Sequence, residues 1–263
     1  MDLKLKGKNA LICASSRGLG FASAKQLAAE GCDIFLCARN EKELAVAASA
    51  IEAPKGVKVF YKAIDLSVPG SSTSLLSEVK TKLGQVDILV NNVGGPSPSP
   101  AATTSAEAWQ NGFNQLFMSA VSLSQAVLPD MIQAKFGRII TITSLSVVEP
   151  IDHLAISTAM RLAVTGFSKT LATEVAEHGI TVNTVMPGVI HTQRIENLRL
   201  AKAERDGTTL ATEMEKTAKI IPAKRLGHPE ELAALVAFLA SPVASYITGA
   251  NIPVDGGMRK AWN

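Results

Sequence analysis

Short apolar runs alternate with longer stretches of helical spacing along most of the chain. The runs at 9–14 (NALICA), 33–38 (DIFLCA), 86–90 (VDILV), 138–143 (RIITIT) and 181–186 (TVNTVM) suit buried parallel strands. The run at 57–64 alternates more and reads as an edge strand, and 251–254 is a last short strand. Pro253 cannot donate to a ladder, which places that strand at an edge as well. Between the strands, Leu19, Ala22, Leu27 and Ala28 recur near a period of 3.6 and predict a first helix. Asn40 is the expected cap of a second, with Glu43 at capping-box spacing. Further helices are predicted over 71–83, 106–133, from an N-cap at Asp152 to about 179, and over 229–239. The segment 94–104 is too rich in Pro and Gly for regular structure, and 187–227 reads as a long, locally amphipathic insert. Strand–helix alternation throughout predicts an α/β fold: one doubly wound, Rossmann-type parallel sheet of about seven strands with helices on both faces. No composition break divides residues 1–263, so a single domain is expected.

Composition narrows the function classes. Of 263 residues, 47% are hydrophobic and 19% charged, enough apolar material for a large core. The net charge of +3 comes without a dense basic stripe, which argues against nucleic acid as a partner. Three cysteines show no metal-ligand spacing, so no metal site is expected; Cys13 and Cys37 fall inside strands as small apolar residues, as in a reducing compartment. The longest apolar stretch, 232–240, is too short to span a bilayer, and the N-terminus lacks an apolar leader. These features predict a cytoplasmic protein with no membrane partner.

In such sheets, ligands sit at the carboxyl ends of the strands. At the first of these ends, Gly18 and Gly20 stand in a small-residue turn before a helix. Taken alone, the turn is either a phosphate cradle or a bend that needs positive φ. After the second strand, a dinucleotide fold preferring NAD would carry an acidic residue; here Ala38 is followed by Arg39, and Arg17 lies in the first turn. Two guanidiniums suit a 2′-phosphate, so NADP(H) is expected rather than NAD(H). Asp65 and Leu66 end the third strand, where Asp65 can accept from an adenine amino group.

At this point several motifs resemble the short-chain dehydrogenase/reductase family. Cys13-Ala14-Ser15-Ser16-Arg17-Gly18-Leu19-Gly20 is similar to its T-G-x-x-x-G-x-G, with Ala14 at the first Gly. Asn91-Asn92-Val93-Gly94 resembles N-N-A-G, and Pro187-Gly188-Val189-Ile190-His191-Thr192 resembles P-G-x-I-x-T. The segments 225–231, 246–249 and 254–257 look like those of family reductases acting on acyl and sugar carbonyls, such as 3-oxoacyl carrier-protein reductases. The resemblance spans nearly the whole chain. It implies a dinucleotide held by Ala14, Ser16, Arg17, Gly18, Leu19, Gly20, Arg39, Asp65, Leu66, Asn92, Gly94, Pro187, Gly188, Ile190 and Thr192. It also implies a substrate lid at about 188–228, a carbonyl or alcohol substrate, and a homotetramer or homodimer paired through the two long helices.

The family's chemistry uses an Asn, a Ser, a Tyr and a Lys. Asn114 and Ser144 match the first two. Counting from Ser144, the Y-x-x-x-K step falls on Ser157-Thr158-Ala159-Met160-Arg161. Neither remaining tyrosine, Tyr61 or Tyr246, has a lysine four residues on. A serine hydroxyl is a far weaker acid than a phenol, and arginine stays charged and cannot pass a proton on, though it can still bond ribose hydroxyls. With a helix starting at Asp152, His153, Ser157 and Arg161 would fall at i, i+4 and i+8 on one stripe, with His153 as general acid. Glu149 and Asp152 would then favour a polar or cationic substrate, and His191 would be a lid residue. Two functions remain open: an NADP(H)-dependent oxidoreductase with an atypical proton donor, or an inactive nucleotide-binding protein serving as sensor or assembly subunit.

Overall fold

The computed structural model describes residues 1–260. Seven strands form one parallel sheet: β1 (Asn9–Cys13), β2 (Asp33–Ala38), β3 (Val59–Ala63), β4 (Ile88–Asn91), β5 (Gly137–Ile142), β6 (Ile180–Pro187) and β7 (Asn251–Val254). Their order is β3-β2-β1-β4-β5-β6-β7. Both edge expectations hold: β3 and the Pro253-bearing β7 are the outer strands. The chain winds outward from β1 in one direction and from β4 in the other, so a crevice opens at the carboxyl ends of these two neighbours.

The helices are α1 (Gly18–Ala29), α2 (Glu41–Ser49), α3 (Ser71–Leu83), α4 (Ala106–Gly112), α5 (Ser119–Ala134), α6 (Ala155–Val175), α7 (Gln193–Asp206), α8 (Leu210–Ile220) and α9 (Pro229–Ala240). Strand residues alternate between the sheet's two faces. Ala10 and Ile12 of β1 pack with Leu27 of α1, Leu44 of α2 and Val236 of α9. Leu11 and Cys13 pack on the other face with Leu75 of α3, Leu123 of α5 and Leu171 of α6. Cys13 and Cys37 sit side by side in the β1–β2 register, unoxidised and buried, and the Cys37 thiol is pushed well above its ordinary range by its hydrogen bond with Cys13 and by burial. Asn40 caps α2 as expected, its side chain accepting from the N–H groups of Lys42 and Glu43; such a cap contributes about 1 kcal/mol.

Two expectations need correction. The single helix over 106–133 is interrupted: Phe113–Met118 is a π-helical turn between α4 and α5. The wider turn lets the segment bury Leu116 while Gly112 lies against Ile156 of α6, where any Cβ would collide with the Ile156 side chain. The second long helix begins at Ala155, not Asp152. His153 has φ 61°, and its carbonyl accepts from the Ser99 N–H at 2.7 Å. That bridge to the 94–104 loop holds residue 153 out of the helical conformation, so His153 does not share a helical stripe with Ser157 and Arg161.

Candidate active site

The first turn is shaped by three close approaches. Ala14 adopts φ 47° and Gly18 φ 59°. A Cβ on Gly20 would run into the Ala14 carbonyl, so only glycine lets α1 start against the end of β1. Ser15, which the sequence did not single out, fastens the turn: its Oγ donates to the Ile12 carbonyl at 2.8 Å and accepts from the Cys37 N–H at 3.1 Å. Arg17 at the α1 N-cap supplies no side-chain cap, so the first N–H groups of the helix face the crevice without a protein partner. This geometry fits a dinucleotide pyrophosphate.

The β2 end carries no acid at residue 39. Glu43 is not part of a capping box; its carboxylate turns back to accept from the Ser16 hydroxyl at 3.0 Å and stands 3.9 Å from Arg17. It thereby orients Arg17 while leaving Arg39 exposed beside it. Asp65 accepts from the Ser67 N–H at 2.9 Å and the Ser67 hydroxyl at 2.7 Å; these bonds, with Arg39 adding to them, hold its carboxyl below the usual range. Leu66 packs under the core of that face.

At the other end, the 187–192 motif closes onto the same turn. The Gly188 N–H donates to the Val254 carbonyl at 2.9 Å, Ile190 bridges to Gly227, and Thr192 Cγ2 lies 3.7 Å from where a Cβ on Gly18 would be. Thus Thr192 meets the first turn, while Gly188 and Ile190 anchor the motif to Val254 and Gly227. Asn92 lines the cavity just past β4, and the Gly94 carbonyl accepts from Gln115 at 2.9 Å.

The residues read as catalytic are only partly brought together. Ser144 ends β5 in extended conformation, its Oγ accepting from the Ser146 N–H at 3.1 Å. Ser157 is buried and accepts from Arg161 Nε at 3.2 Å. The Arg161 guanidinium also donates to the Ile142 carbonyl at 2.9 Å and the Val93 carbonyl at 3.2 Å. It therefore bolts α6 to the ends of β4 and β5, two residues before Ser144 and one after Asn92. Burial, with Arg194 adding to it, pushes its pKa down to about 10, so it remains a cation at neutral pH. Asn114 sits in the π-helical turn; its side chain accepts from Gln110 and its carbonyl from the Ser119 N–H. His153, Glu149 and Asp152 stand exposed on the loop before α6.

The insert between β6 and α9 is a helical hairpin, α7 and α8. Buried Glu213 clamps it, bonded to Lys202 at 2.6 Å, Lys216 at 2.8 Å and Thr208 at 3.0 Å, and these bonds hold its carboxyl down at about 2. His191 pairs with Glu196 at 2.9 Å. Arg194, in the first turn of α7, reaches over the crevice to the carbonyls of Gly95 at 3.0 Å and Pro96 at 3.3 Å. No sequence signal marked it, because its partners lie 99 and 98 residues away along the chain. Among the described residues no cluster of metal-ligating side chains is present, and no helix is long and apolar enough to cross a membrane.

A family model described as enoyl-(acyl carrier protein) reductase matches residues 13–259. The chain is 37% identical to the 3-oxoacyl-[acyl-carrier-protein] reductase FabG of Escherichia coli over 97% of its length and 99% of that protein. It is 32% identical to the short-chain reductase protein NovJ of Streptomyces niveus, over 94% and 92% of the two chains. The solved L-sorbose reductase of Gluconobacter frateurii, in complex with NADPH and L-sorbose, superposes with a TM-score of 0.94 at 36% identity, covering 99% of this chain and 100% of that one. With its crevice, its sheet order and its spaced motifs all in place, the chain is an oxidoreductase of the short-chain dehydrogenase/reductase family.

Proposed function

We propose that this protein is an NADP(H)-dependent oxidoreductase that interconverts a small carbonyl compound and its alcohol. The observation that carries the reading is the β2 end: Arg39 stands where a carboxylate would repel a 2′-phosphate, and Glu43, from α2, reaches Arg17 in the first turn. The NADPH-bound sorbose reductase supports the same choice. The first turn, Arg39, Asp65 with Leu66, Asn92 with Gly94, and the 187–192 motif would hold the dinucleotide, which supplies or takes up the hydride.

The protein's own part is to hold the substrate oxygen and let it gain or lose a proton. Ser144 holds that oxygen through its hydroxyl. Ser157 accepts from a cation, and a hydroxyl polarised in this way becomes a better donor on its own O–H. Arg161 thereby stabilises negative charge on the oxygen without releasing a proton itself. His153, on the loop at the start of α6, delivers the proton through water. The α7–α8 hairpin acts as the lid of a single domain. Two copies pair through α5, the π-helical turn before it and α6, where Ile132, Phe113, Met118 and Leu162 are exposed.

A second reading, a nucleotide binder without turnover, is favoured by one observation: Arg161 commits its guanidinium to backbone carbonyls. Fluorescence titration with NADPH and NADH, paired with NADPH oxidation over ketones, aldehydes and quinones, separates the two. The first reading expects NADPH to bind at least tenfold tighter than NADH, with oxidation on some carbonyls and a pH optimum that shifts in H153A. Tight binding with no oxidation anywhere would establish the second.

A further inference from the structure

The crevice carries more positive charge than a neutral carbonyl compound needs. Arg161 holds the Val93 carbonyl from inside, and Arg194 holds the Gly95 and Pro96 carbonyls from the lid side. One four-residue segment thus lies between two guanidiniums, close enough that Arg194 helps to push the Arg161 pKa down. Among the described residues neither has a carboxylate at ion-pair distance. The nearby acids are engaged elsewhere or face solvent: Glu196 pairs with His191, and Glu149 and Asp152 are exposed.

Two neighbouring cations without a counter-charge are costly unless something anionic joins them. Arg138, at the opposite end of β5, shows what a self-sufficient interior arginine looks like here. Its guanidinium donates to the carbonyls of Gly137, Gly179 and Ser241 and lies 4.3 Å over the Phe136 ring, which Lys8 also approaches at 3.9 Å. Arg161 and Arg194 have no such ring among the described residues, and Arg194 adds to the lowering of the Arg161 pKa. A guanidinium has five N–H groups; Arg161 uses three in the described contacts and Arg194 two, so bidentate donor capacity remains on the lid side.

We infer that the substrate of this site is a carbonyl compound bearing a carboxylate, which Arg194 binds directly while Arg161 supplies the second positive charge. This rests on the oxidoreductase reading and specifies its substrate class. Arg194 belongs to the lid, so an anion bound there also draws α7 against the 94–96 segment. The sequence suggested a polar or cationic substrate chosen by Glu149 and Asp152; those carboxylates stand exposed on the loop before α6.

The experiment uses the full-length protein saturated with NADPH. Matched pairs of 2-, 3- and 4-oxo acids and their methyl esters are titrated against wild type, R194M and R194K, with the NADPH Kd measured in parallel for each variant. The expected result is that at least one acid binds tenfold or more tightly than its ester, that R194M abolishes this preference, and that R194K retains part of it. The NADPH Kd should stay within twofold throughout. Equal binding of acids and esters in every pair, or an acid preference surviving in R194M, would overturn the inference while leaving nucleotide binding intact. A tenfold weaker NADPH Kd in R194M would also overturn it, by assigning Arg194 to a cofactor phosphate. Failure of wild type to bind NADPH would instead refute the oxidoreductase reading.

Discussion

Ala14 and Arg161 both stand where the family's pattern has another residue, yet the structure accommodates them in different ways. At residue 14 the backbone keeps the shape that a glycine would take, φ 47°, and the methyl group is tolerated at the cost of local strain. A left-handed alanine costs about 1–2 kcal/mol, and the turn around it is still held by Ser15 and closed by Gly20. At residue 161 the exchange alters the chemistry. An ammonium would have to serve Ser157, Ile142 and Val93 from a single atom; the planar guanidinium serves each from a separate nitrogen. A change in a backbone-defined site can leave the backbone shape unaltered, whereas a change in a side-chain-defined site alters which groups that side chain bonds.

The largest effect that distinguishes the two positions is on stability. R161M leaves two interior carbonyls without their charged donor, and the lost bonds outweigh relief from burying the charge. We expect a loss of about 2 kcal/mol, and thus a Tm lower by roughly 4–8 °C in calorimetry. An unchanged Tm would mean that Arg161 is not the bolt between β4, β5 and α6. Next comes nucleotide choice. R39A should weaken NADPH by roughly 10–100-fold, the worth of a charge-assisted contact to phosphate, and leave NADH nearly unaffected. Equal losses for both nucleotides would show that Arg39 serves the turn and not the phosphate. The smallest effect belongs to A14G. Releasing the strain should add about 1 kcal/mol, partly offset by the greater freedom of an unfolded glycine, and raise Tm by about 3 °C with NADPH affinity within twofold. A lower Tm would remove the argument from strain.

Much of the fold was legible because it depends on local pattern. Buried parallel strands read as apolar runs, Asn40 reads as a cap, and Pro253 reads as an edge, each for a reason contained within a few residues. The elements that the sequence hid are set by contacts from afar. The π-helical turn around Asn114 follows from the close approach of Gly112 to Ile156. The late start of α6 follows from Ser99 pairing with the His153 carbonyl. The site divides the same way. The turn at Gly18 and Gly20 was readable, since backbone geometry forces residue choice there. The contacts of Arg194 were not, because its carbonyl partners lie nearly a hundred positions away, nor were those of Glu43, which, placed by pattern in a cap, turns instead to Ser16 and Arg17.

The central claim is that hydride chemistry persists with Ser157 and Arg161 in place of a phenol and an ammonium. It is tested most directly by following deuterium from NADPH labelled at the transferable C4 position into the alcohol product of a carbonyl panel that includes oxo acids. The account predicts label on the carbinol carbon, with a single-turnover rate falling at least 100-fold in S144A. Saturating NADPH binding with no label transferred to any carbonyl would contradict it.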